Sequence, residues 1–168
     1  MRVLVTAASK HQSTTEIAEA IAKILTREGV TAASRRPEEV TSLDGYDAVI
    51  LGSGVYAGRW IGAATEFAKR HREALLARPV WLFSSGPIGA PEPKPVEESP
   101  DALALVTDLH ARGHRTFAGR LDRGRLGLAE RAITRMVGAE SGDFRSWPLI
   151  EAWAREIAGE LKAAAPVR

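Results

Sequence analysis

The chain has 168 residues, 45% of them hydrophobic, a net charge of +2 and no cysteine. That length supports one domain with a core of its own, and the composition carries no sign of disorder; without cysteine, disulfide frameworks, thiolate nucleophiles and cysteine-based zinc sites are excluded. No segment reaches the roughly 20 apolar residues that a membrane helix needs, and the opening apolar run is too short for a signal peptide, so a cytoplasmic protein is expected.

In chain order, short apolar runs alternate with segments of helical period. "VLVT" (3–6) reads as a buried strand. A turn of small hydroxyl-bearing residues, "SKHQST" (9–14), leads into a helix over 14–28, where Ile17, Ala20, Ile21, Ile24 and Leu25 share one face and Gly29 supplies the stop. A weaker strand, "VTAAS" (30–34), is followed by "DAVILGS" (47–53), the glycine-rich "GSGVYAGRW" (52–60) and a helix over 60–76. The strand "PVWLFSS" (79–85) runs into "GPIGAPEPKPVEESP" (86–100), whose prolines forbid a regular helix or central strand and mark a surface loop. A helix over 101–112, a strand "RTFAGRL" (115–121) and a helix over 126–137 follow. In the last helix, 147–164, Leu149, Ile150, Trp153, Ile157 and Leu161 line one face after Trp147-Pro148 sets the start.

Strands that alternate with helices imply a parallel sheet. Five such units fit an α/β, three-layer, doubly wound five-stranded sheet of order 2-1-3-4-5; a barrel of eight units needs far more chain. In open sheets of this kind ligands sit at the carboxyl ends of the strands beside the point where strand order reverses, which singles out the first, third and fourth strand-to-helix loops. The first offers Ser9, Lys10, His11, Gln12, Ser13 and Thr14 at the N-terminus of a helix, where free N–H groups and the dipole favour an anion such as a phosphate monoester. A plain helix cap, with Glu16 completing a box from Ser13, accounts for the same residues. The third loop, with Ser53, Gly54, Val55, Tyr56 and Trp60, combines glycines for close backbone approach with two aromatics suited to a planar ligand; packing at the core edge is the ordinary use of such aromatics. Ser84, Ser85, Gly86 and Gly89 add exposed backbone donors in the fourth. Three such loops on one sheet edge point to a flat, phosphorylated ligand.

Other chemistries fit less well. The glycine-rich turn follows the third strand rather than the first, so it is no dinucleotide fingerprint. Thr6 and Ala7 stand where a phospho-acceptor receiver domain needs acids, and no G-x-S-x-G elbow is present. His11, His71, His110 and His114 show no metal-ligand spacing and read as solvated surface residues, so no metal site is expected.

The chain resembles the flavodoxin-like family. Its phosphate loop, of the form T-x-T-G-N-T between first strand and first helix, corresponds to Ser9 through Thr14. The stretches "ASKHQSTTEIAEAIA", "YDAVILGSGVYAGRWIGAATEFAKRH", "FAGRLDRGRLGLAERAITRMVGAESGDFRSW" and "WAREIA" are similar, over nearly the full length, to the menaquinone-dependent protoporphyrinogen IX dehydrogenase type. The resemblance implies a single flavodoxin-like domain over 1–168 with a family-specific insertion around 119–146, non-covalent FMN, and a flavin-dependent oxidoreductase with a porphyrinogen substrate and a quinone acceptor. It implies that Ser9, Lys10, His11, Gln12, Ser13 and Thr14 hold the phosphate, and that Ser53, Gly54, Val55, Tyr56, Trp60, Ser84, Ser85, Gly86 and Gly89 flank the ring; it names no catalytic acid or base. Two positions depart from it: Gln12 stands where most relatives have glycine, and Ala7 where many have an aromatic or hydroxyl residue. If the loop requires φ > 0 at residue 12, glutamine there is strained by about 1 kcal/mol. An electron carrier of flavodoxin type is the alternative, although a net positive charge is unlike the acidic face such a carrier would present to basic partners. A binding protein that kept the fold and lost the flavin is another, motivated by Gln12.

Between Arg112 and Arg135 seven arginines face two acids, Asp122 and Glu130. Across 126–137, Ala129, Ala132, Ile133, Met136 and Val137 form an apolar face with Arg125, Arg131 and Arg135 elsewhere, a basic amphipathic helix. Packing on the domain with solvated arginines is its ordinary explanation. The sharper expectation is that 119–137 meets an anionic membrane surface or the carboxylates of a porphyrin, placing the protein peripherally at the cytoplasmic membrane face. Nucleic acid is not expected, because no aromatics interleave with the arginines.

Overall fold

Runs of Val, Ile, Leu and Ala in which both alternating faces are apolar can be buried only between two layers of helices. The computed structural model, which describes residues 1–86, 98–121, 127–129, 131–132 and 142–164, builds them that way. Its strands are β1 (Arg2–Ala8), β2 (Thr31–Arg35), β3 (Ala48–Tyr56), β4 (Arg59–Trp60), β5 (Val80–Ser85), β6 (Gly113–Phe117), β7 (Arg120–Leu121) and β8 (Gly142–Asp143). Its helices are α1 (Ser13–Arg27), α2 (Gly62–Arg70), α3 (Arg72–Leu76), α4 (Pro100–Asp108) and α5 (Trp147–Ala164).

The sheet order is β2-β1-β3-β5-β6, all parallel, with the two-residue β4 paired antiparallel to β3. Counting only the five long strands, this is the 2-1-3-4-5 order expected from the alternation. Val5 lies beside Ser34 and Ile50, and Leu51 beside Leu82, so residues in register on neighbouring strands share a face. On one face Val3, Val5, Ile50, Trp81 and Phe83 pack under α1, through Ile17, Ile21 and Leu25, and under α5, through Ile150, Trp153 and Ile157. On the other, Leu4, Val49, Leu51 and Leu82 pack with Trp60, Phe67, Leu75, Ala102 and Leu109.

Three elements differ from the sequence expectation. The helix over 60–76 is broken at His71, whose ψ of 17° leaves the helical region. The strand over 115–121 ends at Phe117; Gly119 then lies beside Gly86, where a Cβ would make an ordinary contact at 3.6 Å from the Gly86 Cα, and the chain leaves the sheet to form the separate β7–β8 ribbon. Leu149 is 63% exposed: it stands in the first turn of α5, at the margin of the buried face and about 100° around the helix from the buried Ile150. The expected basic helix over 126–137, with Arg125 and Arg135, lies largely outside the described residues; Leu128, Ala129, Arg131 and Ala132 are helical and exposed. Among the described residues, no helix is long and apolar enough to cross a membrane.

Candidate functional site

Where β1 stops, the chain must turn sharply into α1, and Gln12 makes that turn. It is the N-cap residue, with φ 66° and ψ −11°, in the left-handed region that a side chain disfavours. The strain conditional on φ > 0 at this position is therefore present. Gln12→Gly should raise unfolding free energy by about 1 kcal/mol, less whatever the freer unfolded chain removes; urea denaturation checks this, and an unchanged or lower midpoint would mean that glutamine is unstrained here.

The Gln12 carbonyl accepts from Glu16 N–H at 2.9 Å, and Thr14 N–H donates to Ser9 Oγ at 3.3 Å. Among the described residues the amides of Gln12, Ser13 and Thr15 have no acceptor, so donors at the positive end of the α1 dipole converge on this turn. Ser13 and Thr14 are both buried. The alternative capping box from Ser13 is not formed. Ser13 Oγ instead accepts from Arg120 N–H at 3.1 Å, and the Glu16 carboxylate turns to Arg145 Nη1 at 2.6 Å and Arg120 Nη1 at 3.2 Å.

The third loop is a hairpin. Ala57 and Gly58, with φ of 47° and 75°, make a turn with two successive positive φ values, which suits the twist of a two-residue connection between β3 and β4. Several side chains hold it. Ser53 Oγ accepts from Ile61 N–H at 2.9 Å; Asp101 Oδ2 accepts from Trp60 N–H at 3.0 Å and Arg59 Nε at 2.8 Å. The Trp60 indole donates to Ser84 Oγ at 2.8 Å, and Ser84 Oγ lies 3.0 Å from His114 Nε2. Ser53, Trp60 and Ser84 are thus engaged inside the fold, at 0%, 5% and 1% exposure, and the structure does not bring them to the surface of the site.

His114 overturns the expectation of a solvated histidine. Its side chain is 6% exposed, with Nδ1 at 3.7 Å from Glu98 Oε1, an ion-pair separation too long for a hydrogen bond. Burial pushes its pKa below the ordinary histidine value despite the nearby carboxylate. His71 is half-buried, with Nε2 3.3 Å from the Val40 carbonyl, and burial likewise lowers its pKa. Among the described residues, no group of acidic and histidine side chains is placed to hold a metal ion.

The remaining candidates form a closed circuit. Half-buried Tyr56 has Lys10 Nζ 4.3 Å from its ring centroid and His11 edge-on at 6.5 Å. A Cβ on Gly54 would stand 3.2 Å from Thr14 Oγ1, which shows how closely the third loop meets the first. A Cβ on Gly86, whose φ is 100°, would stand 3.6 Å from the Val55 carbonyl, and one on Gly119 would stand 3.6 Å from Ser85 Oγ. Arg120, the next residue, returns to Ser13. Gly89 lies outside the described residues. Loops one and three, the Ser85–Gly86 start of loop four and the β6–β7 junction therefore meet at one place on the C-terminal sheet edge, with α1 amides on one side and Tyr56 on another.

Sequence reasoning missed the charged residues beside it. Arg145, 3% exposed, grips Asp143 through Nε at 2.8 Å and Nη2 at 2.6 Å, reaches Glu16, and lies 4.6 Å from the Trp147 ring centroid. Burial works to raise the Glu16 pKa, but bonds to and charges of Arg145 and Arg120 outweigh it and hold the carboxyl below its usual range. The hydrogen bonds of Arg145 hold Asp143 low in the same way. No local spacing marks Arg145 among the other arginines, since Glu16 is 129 residues away in sequence.

Residues 4–146 match the flavodoxin domain family. None of the curated proteins matches the chain. Among solved structures, a flavodoxin from the domain Archaea is similar at a TM-score of 0.62 and 15% identity, over 96% of this chain and 99% of that one. A cysteine-to-serine mutant of flavodoxin from Pseudomonas aeruginosa gives 0.63 and 15%, over 96% and 99%. Rubredoxin oxygen:oxidoreductase from Desulfovibrio gigas gives 0.67 and 16%, over 98% of this chain; the chain spans only 37% of that protein. At these identities the likeness is one of fold.

Proposed function

We propose, from the premise that this chain belongs to the flavodoxin domain family, that it binds FMN non-covalently and transfers electrons through it. The observation that carries this is the circuit of loops closed around the α1 N-terminus, with donors for a phosphate on one side and Tyr56 on another. The residues present fit the group in its phosphate half. Ser13 and Thr14 hydroxyls with the amides of Gln12, Ser13 and Thr15 would hold the phosphate, Lys10 would add positive charge and His11 a ring N–H donor. Tyr56, with the backbone of Gly54, Val55 and Gly86, would orient the ring. When bound, the flavin supplies the redox chemistry.

The finer reading is an oxidoreductase of the protoporphyrinogen IX dehydrogenase type, oxidising a porphyrinogen and reducing a quinone. Similarity at "ASKHQSTTEIAEAIA" and "YDAVILGSGVYAGRWIGAATEFAKRH" supports it, and the net charge of +2 disfavours a plain electron carrier docking to basic partners. In the same reading the basic segment 119–137 meets an anionic membrane surface or the substrate's carboxylates at the cytoplasmic face. Salt-reversible co-sedimentation with anionic vesicles tests the membrane part; its absence at low ionic strength would remove it.

Titration of the full chain with FMN, FAD and riboflavin, followed by fluorescence quenching, tests the cofactor. FMN should bind tightest, because the loop accommodates one phosphate; equal affinity for riboflavin would refute a phosphate site. A second reading, a fold that has lost its flavin, is favoured by glutamine at φ 66° where the family's loop has glycine. Absence of flavin binding at any concentration tested would establish it. Where FMN binds, anaerobic turnover of porphyrinogen with a quinone decides between dehydrogenase and carrier.

A further inference from the structure

We propose that Arg145 and Arg120 are positioning residues for the phosphate site: their guanidinium groups mask the carboxylate of Glu16, which would otherwise repel an anion at the α1 N-terminus, and the backbone N–H of Arg120 orients the Ser13 hydroxyl as a donor to that anion. This rests on the FMN reading and deepens it.

Glu16 stands in the first turn of α1, its N–H bonded to the carbonyl of Gln12 in the candidate phosphate loop. An acid there is ordinarily favourable for an empty helix, because it meets the positive end of the dipole. For a helix whose N-terminus receives a phosphate, the same acid is a competitor and a source of like-charge repulsion, and at one turn's distance it lies inside the roughly 8 Å over which salt leaves such repulsion unscreened. Here both carboxylate oxygens are occupied. Oε2 accepts from Arg145 Nη1 at 2.6 Å and Arg120 Nη1 at 3.2 Å, and Oε1 lies 3.2 Å from Arg120 Nη2. Arg145 is fixed by its double bond set to Asp143 and by a 3.4 Å contact from Nη1 to the Ser13 carbonyl. Two arginines and two acids make the cluster neutral, so the α1 N-terminus keeps its own positive potential.

Ser13 is set by the same pair. Arg120 N–H occupies one lone pair of Ser13 Oγ at 3.1 Å, and among the described residues the hydroxyl hydrogen has no acceptor. A hydroxyl that already accepts is directed to donate, which is the role an anion's oxygen needs from it. The β7–β8 ribbon, outside the main sheet, and the residue two beyond it thereby contribute to the site: Arg120 and Arg145 act through Glu16 and Ser13.

The test is a double-mutant cycle on the full chain, with Arg145→Gln, Glu16→Gln and the two combined, and affinities for FMN and riboflavin measured side by side. Masking predicts that Arg145→Gln weakens FMN at least tenfold and changes riboflavin less than twofold. The double variant should return FMN to within threefold of the parent, because an arginine is dispensable once the acid is gone. Equal losses for FMN and riboflavin, no loss, or no rescue would each overturn the proposal and leave Arg145 a clasp for the ribbon. Arg120→Gln, at a more exposed position, repeats the cycle should Arg145→Gln fail to fold. Inorganic phosphate, followed by the amide resonances of Ser13 to Thr15, gives a readout without flavin. A parent that binds phosphate but not FMN sinks the flavin reading while the phosphate cycle still decides the masking; a parent that binds neither overturns both.

Discussion

Gly52→Ala should destabilise the protein by about 3 kcal/mol, the upper end of what an extra methyl costs in a packed core, and lower Tm by roughly 6–12 °C for a chain of this size. Gly52 pairs with Ala7 of β1 and Phe83 of β5 in the middle of the sheet. A Cβ on it would fall 2.2 Å from Phe83 Cζ and 2.3 Å from Cε1, inside the ring's own volume. The ring has nowhere to go: it is fully buried, with Phe117 and Trp153 each at 6.2 Å between centroids. Thermal and urea denaturation measure the effect, with Gly62→Ala in α2, where a Cβ meets nothing within 4 Å, as a control near or above the parent. Adding Phe83→Leu to Gly52→Ala should recover part of the loss by freeing space. A Gly52→Ala variant that melts with the parent would mean that the ring does not lie against β3.

Trp60→Ala should cost about 3–5 kcal/mol, the range for deleting a buried tryptophan. Trp60→Phe should cost only about 1–2 kcal/mol, since the packing is largely kept and one hydrogen bond is lost. Trp60 fills the second core cluster and its indole N–H reaches Ser84, so the ring is occupied on the inside of the hairpin. Flavin affinity of Trp60→Phe should therefore stay within threefold of the parent. Tenfold weaker FMN binding at unchanged stability would return Trp60 to the role of stacking on the ligand. Tyr56→Ala gives the opposite pattern: half-buried at the mouth of the site, it should lose flavin affinity with little loss of stability.

The alternation of strands and helices, most of their buried faces and the order of the five long strands were legible in the sequence. Ile17, Ile21 and Leu25 repeat at helical spacing and are buried, because a helix's apolar stripe is set by residues within a few positions of one another. The turn at 9–14 was legible for a related reason: hydroxyls ahead of a helical pattern mark its N-terminus wherever the rest of the chain goes; strain at Gln12 was an expectation conditional on φ > 0, raised by the glycine that the resembling family carries there, and the structure supplied the φ of 66°. What Trp60, Ser84 and His114 do was decided by the tertiary structure, since each side chain's partner lies on another strand or loop and a glycine-rich hairpin can present its aromatics to either side. The same holds for Gly52, which had the look of a loop glycine until Phe83 was placed against it. Arg145 is the extreme case. It is one arginine in an arginine-rich stretch until the fold closes 129 residues of chain and sets it against Glu16, and a salt bridge of that span has no period that a sequence can carry.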